Sequence, residues 1–379
     1  MESKNILLMI SPVSLQRMDG ISRYAKEHRW NLMTADRLDE SEDPSDYDGV
    51  LMTLRDNPAQ VKTARRLIAA GVPAVDLTIE RPDIALPRSI GDHRAIGRIA
   101  AKHFLDRGFT NFAWFATGRS HVHDLRRHGF RDAIPEKAAF TRLNRRDLAA
   151  KLAKLPRPLA VLAYNETDAA RVVWTVQRLG LAVPLDVAVL GVGNDPFLCE
   201  NQAITISSVE QRLADSAYEG AKLLDRLIEH PLRKGEPLPS IVLPPGEIHA
   251  RESSDTLSHP DPIIRDALVY IHRNLSKSFG IAEISAAIGV NRNKLNSLFT
   301  ATTHRTVGEE ILRQRIARAE RLLADPAVAI GEISRICGFC NPAYFTNTFL
   351  RVKGMNPRAY RKKNPALVTR KAAVRNVAT

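Results

Sequence analysis

Cysteine is scarce in this chain, three in 379 residues. That is too few for a disulfide framework and fits a reducing cytoplasm. Long apolar runs are missing too. The first, residues 6–10, is shorter than a signal-peptide core and far short of the ~20 residues of a membrane helix, so it reads as a buried strand and no membrane partner is expected. The chain has no glycine-rich phosphate loop after a strand, no His-Glu-x-x-His and no Gly-x-Ser-x-Gly, and Gly191-Val192-Gly193 lacks the third glycine of a dinucleotide fingerprint. An enzyme is therefore not expected, and neither are catalytic residues or a cofactor. Cys337 and Cys340 form Cys-Gly-Phe-Cys, which by spacing alone could be a redox pair or half a zinc site. With no second such pair and no histidine at ligand spacing, packing around a tight turn is the expectation, and no metal.

Negative charge is short in one region only. Residues 262–379 hold 20 Lys/Arg against 7 Asp/Glu, whereas residues 1–261 hold 35 of each. A basic module joined to a neutral one is the electrostatic footprint of a nucleic-acid-binding domain attached to a domain with another task, because phosphate neutralisation supplies most sequence-independent affinity. The composition, 44% hydrophobic and 26% charged, is that of a soluble globular protein long enough for two or three domains.

Along residues 1–252 short apolar runs alternate with amphipathic stretches. Strands are expected at 5–10, 49–54, 74–77, 112–116, 160–163 and 188–192, and helices at 21–28, 59–70, 96–107, 169–179 and 214–229. This βαβα alternation predicts an α/β domain of parallel sheets between helices. Residues 253–261, rich in Ser and Pro, read as a linker, residues 262–365 as an all-helical domain, and residues 366–379 as a basic disordered tail.

The helical region contains one pattern twice. In the first copy Ile281, Ile284, Ala287 and Ile288 mark a buried face, Gly289 makes the turn and Asn291 can cap the next helix. On that helix Leu295, Leu298 and Phe299 must face the core, which turns Arg292, Asn293, Asn296 and Ser297 outward with Lys294 at the boundary. In the second copy Ile330, Ile333 and Ile336 are the buried set, Gly338 turns, Asn341 caps and Pro342 opens the helix. There Tyr344, Phe345, Phe349 and Val352 are expected inside, and Ala343, Thr346, Asn347 and Arg351 outside. The exposed Arg, Asn, Ser and Thr groups carry the donors and acceptors that read major-groove base edges. A helix over 306–324 joins the copies and spans roughly 28 Å, comparable to the ~34 Å between major-groove faces one turn apart on one side of a duplex.

Gly338-Phe339, Tyr344-Phe345, Phe349 and the closing Asn356-Pro357-Arg358-Ala359-Tyr360-Arg361 resemble the AraC-type DNA-binding domain. One departure is His304, where that family usually has glycine after the first recognition helix. A non-glycine residue in the left-handed region costs about 1 kcal/mol, so a rearranged loop is expected there.

Ser89-Ile90-Gly91-Asp92, Arg126-Arg127-His128-Gly129-Phe130, Leu190 to Asp195, Ser207-Ser208-Val209 and Val242-Leu243-Pro244-Pro245 are similar to the two-lobed, periplasmic-binding-protein-like sensors of LacI-type regulators. The resemblance implies a lobe of residues 1–108 plus the helix near 211–229, a second lobe of most of 109–203, and a return of residues 240–251 to the second lobe. It also implies a cleft at the strand ends that takes a xylose-like sugar, homodimers on double-stranded operator DNA, contact with RNA polymerase and activation of pentose catabolic genes. Asp92, Arg126 and Asn165 match ligand-contact positions of such sensors, although Asp92 could instead cap a helix and Arg126 could be a surface cation. Gly193 stands where a sugar-binding Asp is common, and Asn194 or Asp195 could substitute for it. Alternatives are a different sugar or metabolite, or a ligand-independent DNA-binding protein whose α/β domain only dimerises.

Overall fold

The apolar runs of the first 250 residues become strands because they are buried on both faces, the condition under which a parallel strand reads as unbroken hydrophobic sequence. The computed structural model describes residues 3–35, 37, 43–233, 235–255, 261–323 and 328–363, and the chain divides into two compact units, Met1–Ser258 and His259–Thr379.

The first unit holds two sheets. One is made of β1 (Lys4–Met9), β2 (Trp30–Thr34), β3 (Gly49–Met52), β4 (Ala74–Asp76), β5 (Arg88–Gly91) and the late β11 (Ser240–Leu243), in the order β11-β5-β4-β3-β1-β2 with parallel pairing. Alternate residues of β1 serve opposite layers, as the period of a strand requires. Ile6 and Leu8 pack with α1 (Leu15–His28) and α8 (Leu213–Glu229), whereas Leu7 and Met9 pack with α2 (Pro58–Ala70).

The other sheet is made of β6 (Asn111–Phe115), β7 (Ala139–Leu143), β8 (Leu159–Ala163), β9 (Val187–Gly193), β10 (Ser207–Glu210) and β12 (Ile248–His249), in the order β12-β10-β9-β8-β6-β7, with only β12 antiparallel. Helices α3 (His93–Leu105) and α4 (His121–Ala133) cover one face, and α5 (Leu148–Lys154), α6 (Glu166–Arg178) and α7 (Pro196–Glu200) the other.

Three expectations are corrected. Helix α3 belongs to the second lobe: Ile96, Ala100 and Phe104 share a core with Phe112, Trp114 and Phe130. It crosses α4 so closely that a Cβ on Gly97 would lie 2.3 Å from the Arg126 carbonyl oxygen, and one on Gly129 2.1 Å from that of Arg94. Residues 240–251 do not return to one lobe; β11 pairs with β5 in the first sheet and β12 with β10 in the second. The expected linker opens inside the sensor. Ser253 and Ser254 are fully buried, Ser253 Oγ donates to the Val189 carbonyl oxygen at 2.7 Å, and Ser254 Oγ lies 2.9 Å from His103 Nε2. Residues 256–260 of that linker and the tail at 366–379 lie outside the described residues. Strands β2 and β7 were not anticipated because they are edges: most of their residues are half-buried or exposed, so no apolar run marks them.

The second unit is helical: α9 (Pro262–Asn274), α10 (Ile281–Ile288), α11 (Arg292–Thr303), α12 (Val307–Leu323), α13 (Ile330–Ile336), α14 (Pro342–Lys353) and α15 (Pro357–Lys363). A reciprocal capping box opens α12: Thr306 N donates to Glu309 Oε2 at 2.7 Å, and Glu309 N donates to Thr306 Oγ1 at 3.2 Å. Ile316, Ile333, Cys337, Phe345 and Phe349 share one core. Cys337 is buried in it while Cys340 is exposed. The closing motif is a clamp. Tyr360 packs edge-on against Phe349 and donates to Glu320 at 2.9 Å, and Arg361 donates to the Leu323 and Val328 carbonyl oxygens, satisfying an orphan acceptor at the end of α12.

Candidate functional site

The C-terminal ends of the two parallel sheets face each other, the place where open α/β sheets bind ligands. Among the described residues three hydrogen bonds join the lobes across this cleft. Glu80, after β4, accepts from Val122 N at 3.3 Å and from the Tyr164 hydroxyl at 3.5 Å. Gln16, on α1, donates to the Asn194 carbonyl oxygen at 3.3 Å.

Arg126 lies at the heart of the cleft. Its side chain is buried, donates from Nη1 to the Tyr164 carbonyl oxygen at 2.6 Å, approaches His93 Nδ1 at 3.4 Å and stacks 4.7 Å from the Tyr164 ring centre. Burial and the Arg126 and Arg17 charges hold His93 well below the usual histidine range. The Tyr164 ring packs against His123 with ring centres 3.6 Å apart.

Four other expected residues are committed to the framework. Asp92 caps α3 by accepting from Ala95 N at 2.8 Å and pairs with Arg98 at 3.3 Å. Asn165 caps α6 through Asp168 N at 2.9 Å, and Asp195 caps α7 through Phe197 N at 2.8 Å. Asn194 has a left-handed backbone, φ 56°, and its Oδ1 accepts from Arg251 at 3.0 Å. Asn194 also donates from its backbone N–H to Glu166 Oε1 at 2.6 Å.

Several residues escaped the sequence reading. Gly193 has φ 138°, and a Cβ there would lie 2.7 Å from Glu166 Oε2. The carboxylate missing at position 193 is thus supplied beside it by Glu166, the first residue of α6. Glu166 Oε1 accepts from Asn194 N at 2.6 Å and Ser208 Oγ at 2.5 Å, which leaves Oε2 without a donor among the described residues. Burial, the largest influence, raises the affinity of this carboxyl for its proton. Asp76, at the end of β4, is fully buried and pushed up to about 6 by burial, against bonds from Leu54 N and from Thr78 N and Oγ1. Arg17, on the first turn of α1, is partly buried and lowered to about 10, by burial first and then by the charge of Arg55. The signal that could have found these residues is position: Arg55, Asp76 and Tyr164 stand at or just beyond strand C-termini.

The helical unit presents two exposed faces. Arg292, Asn293, Lys294, Asn296 and Ser297 of α11 are all exposed around buried Leu295 and Phe299. On α14 Ala343, Asn347 and Arg351 are exposed and Thr346 half-buried, its hydroxyl donating back to the Pro342 carbonyl oxygen at 2.9 Å. Two residues expected inside α14 are not: Tyr344 is 50% exposed and Val352 47%, while Thr348 takes an inner position beside Phe345 and Phe349. Ala287 of α10 is likewise exposed rather than buried. Among the described residues no group of His, Cys, Asp and Glu could hold a metal ion, and no helix is long and apolar enough to cross a membrane.

The family comparisons agree with this division of labour. Residues 101–254 match the periplasmic binding protein-like domain and residues 284–363 a helix-turn-helix domain. The chain thus joins a periplasmic binding protein-like domain to a helix-turn-helix domain.

Within that arrangement the chain is similar to the xylose operon regulatory proteins. It is 24% identical to the one from Haemophilus influenzae over 91% of this chain and 94% of that protein. It is 26% identical to the one from Escherichia coli K12 over 72% of this chain and 73% of that one. Among solved structures, that of the xylose-binding transcription activator XylR matches with a TM-score of 0.76 at 23% identity, covering 96% of this chain and 99% of the other. A LacI family regulator from Enterococcus faecium with bound ribose matches with 0.54 at 19% identity, over 68% of this chain and 100% of that one.

Proposed function

We propose that this protein is a cytoplasmic, sugar-responsive transcription regulator that binds operator DNA as a homodimer and activates genes of pentose use through contact with RNA polymerase. The observation that carries the reading is the pairing, in one chain, of a cleft furnished with Arg126, Tyr164 and Glu166 with two exposed helix faces rich in Arg, Asn and Thr. The relatives named for xylose make that sugar, or a close derivative of it, the reference effector. Neither the two faces nor the cleft needs catalysis for this role.

Ligand in the cleft favours the closed lobes, whose contacts run through Glu80 and Gln16. Closure acts on the DNA-binding units only if the ligand discriminates between states. Moving a population from 1:99 to 99:1 requires about 10⁴-fold tighter binding to the favoured state.

The test is selection of duplexes from a random pool with the full-length protein, followed by binding of the selected duplex to Arg292→Ala and Arg351→Ala. Each variant is expected to bind about tenfold or more weaker, the usual loss for a base-edge contact. Selection of no sequence, or wild-type affinity in both variants, refutes the assignment of the recognition faces. Operator affinity that no cleft ligand alters points to the ligand-independent reading.

A further inference from the structure

From the cleft's unpaired donors we infer that the effector is an anionic sugar derivative, a polyol bearing a carboxylate or phosphate, and that Arg17 and Arg55 hold its charged end. This rests on the sensor reading above and departs from its relatives' named ligand in charge alone.

Arg17 and Arg55 have no hydrogen bond or ion pair through their guanidinium groups among the described residues, although each group carries five N–H donors. Both stand at the strand ends of the first lobe, Arg17 on the first turn after β1 and Arg55 three residues beyond β3. They lie close enough for each to perturb the other lobe's Tyr164, and Arg17 also senses Arg126 and Asp76. Arg17 is half-buried and Arg55 exposed, and the guanidinium groups of both lack a protein partner among the described residues.

The carboxylates around them are already occupied or neutralised. Glu80 accepts from Val122 N and Tyr164, and Asp168 accepts from Thr117 N at 3.1 Å. Asp76 carries three bonds on Oδ1 and, at 3.6 Å from Arg88 Nε, turns its other oxygen to a cation of its own lobe. Bringing two like charges together without an acceptor between them costs free energy, and a framework does not gain by it. A ligand anion would remove the cost, since a carboxylate or phosphate accepts paired bonds from guanidinium forks.

The opposite lobe suits the neutral end of the same molecule. Glu166 Oε2 beside Gly193 can accept a sugar hydroxyl, and the Tyr164 ring can cover an apolar face of the sugar. The first lobe thus offers two unpaired cations beside the unbonded Asp76 Oδ2, and the second lobe a free acceptor. A neutral pentose would leave the Arg17 and Arg55 forks bonded only to hydroxyls, each weaker than a charge-assisted partner.

Full-length protein is titrated calorimetrically with D-xylose, D-xylonate, D-xylose 5-phosphate and, as an ion control, sodium sulfate. Xylonate or the sugar phosphate is expected to bind at least 100-fold tighter than xylose, and which of the two does so identifies the anion. Arg17→Gln should abolish that preference and leave operator binding intact. It should also raise the melting temperature of the ligand-free protein, because an unpaired, partly buried charge has been removed; a structural Arg17 would lower it. Xylose binding as tightly as both anions, or Arg17→Gln leaving the preference in place, overturns the inference while the sensor reading survives. Sulfate binding as well as the sugar anions also overturns it, as a site for adventitious ions. If no sugar binds, the sensor reading falls with it.

Discussion

The two helix-turn-helix units are built from the same pattern yet depend on it unequally. Both turn through a glycine in the left-handed region, Gly289 with φ 67° and Gly338 with φ 71°. Gly289 faces open space, so only its backbone angle matters. Gly338 is enclosed: an added Cβ would lie 2.2 Å from the Leu275 carbonyl oxygen and 3.0 Å from that of Lys277, which itself accepts from Arg315 at 2.6 Å. The second turn is therefore packed against the end of α9, while the first is free. The recognition helices differ in the opposite sense. Helix α14 ends on Gly354 with φ 70°, whereas α11 ends on His304 with φ 54°. The expected rearrangement at His304 does not occur. It keeps the left-handed cap, with its N–H bonded to the Thr300 carbonyl oxygen at 2.9 Å, and the strain of a side chain there is borne.

This comparison can be broken by substitution in the full-length protein. All three tryptophans lie at positions 30, 114 and 174, so tryptophan fluorescence follows the sensor while far-UV circular dichroism also reports the helical unit. Gly338→Ala should have the largest effect, destabilising the helical unit by about 3 kcal/mol or more, because two backbone carbonyls must move. A loss under about 1 kcal/mol would show that the α9 contact is loose. Gly289→Ala and Gly354→Ala should each cost about 1 kcal/mol, the left-handed penalty alone. If Gly289→Ala proved as costly as Gly338→Ala, the asymmetry between the turns would be refuted. Smallest and opposite in sign, His304→Gly should stabilise by up to about 1 kcal/mol, reduced by the extra freedom glycine brings to the unfolded chain. A destabilised His304→Gly would mean that the imidazole does something the cap geometry does not reveal.

Strands β1, β3, β4, β6, β8 and β9 were legible in the sequence because continuous apolar runs carry their signal locally, whereas β10 is buried but was missed because Ser207 and Ser208 interrupt its apolar run. The AraC-type closing motif was legible too, and the structure gives its reason in the clamp of Tyr360 and Arg361 on α12. Edge strands β2 and β7 were hidden because half their surface is polar. The candidate cleft was legible only in outline. Arg126 was named as a candidate, and Asp92, Asn165 and Asp195, named with it, cap helices, a role that does not exclude ligand contact.

The sequence by itself determined the two-module architecture and the repeated helix pairs, since charge balance and helical periodicity are properties of neighbouring residues. Only the tertiary structure decided which lobe owns α3 and β11, and that the Glu166 carboxylate lies against Gly193. Those facts join residues far apart in the chain, and such meetings are set by sheet order and helix packing, which no local pattern encodes.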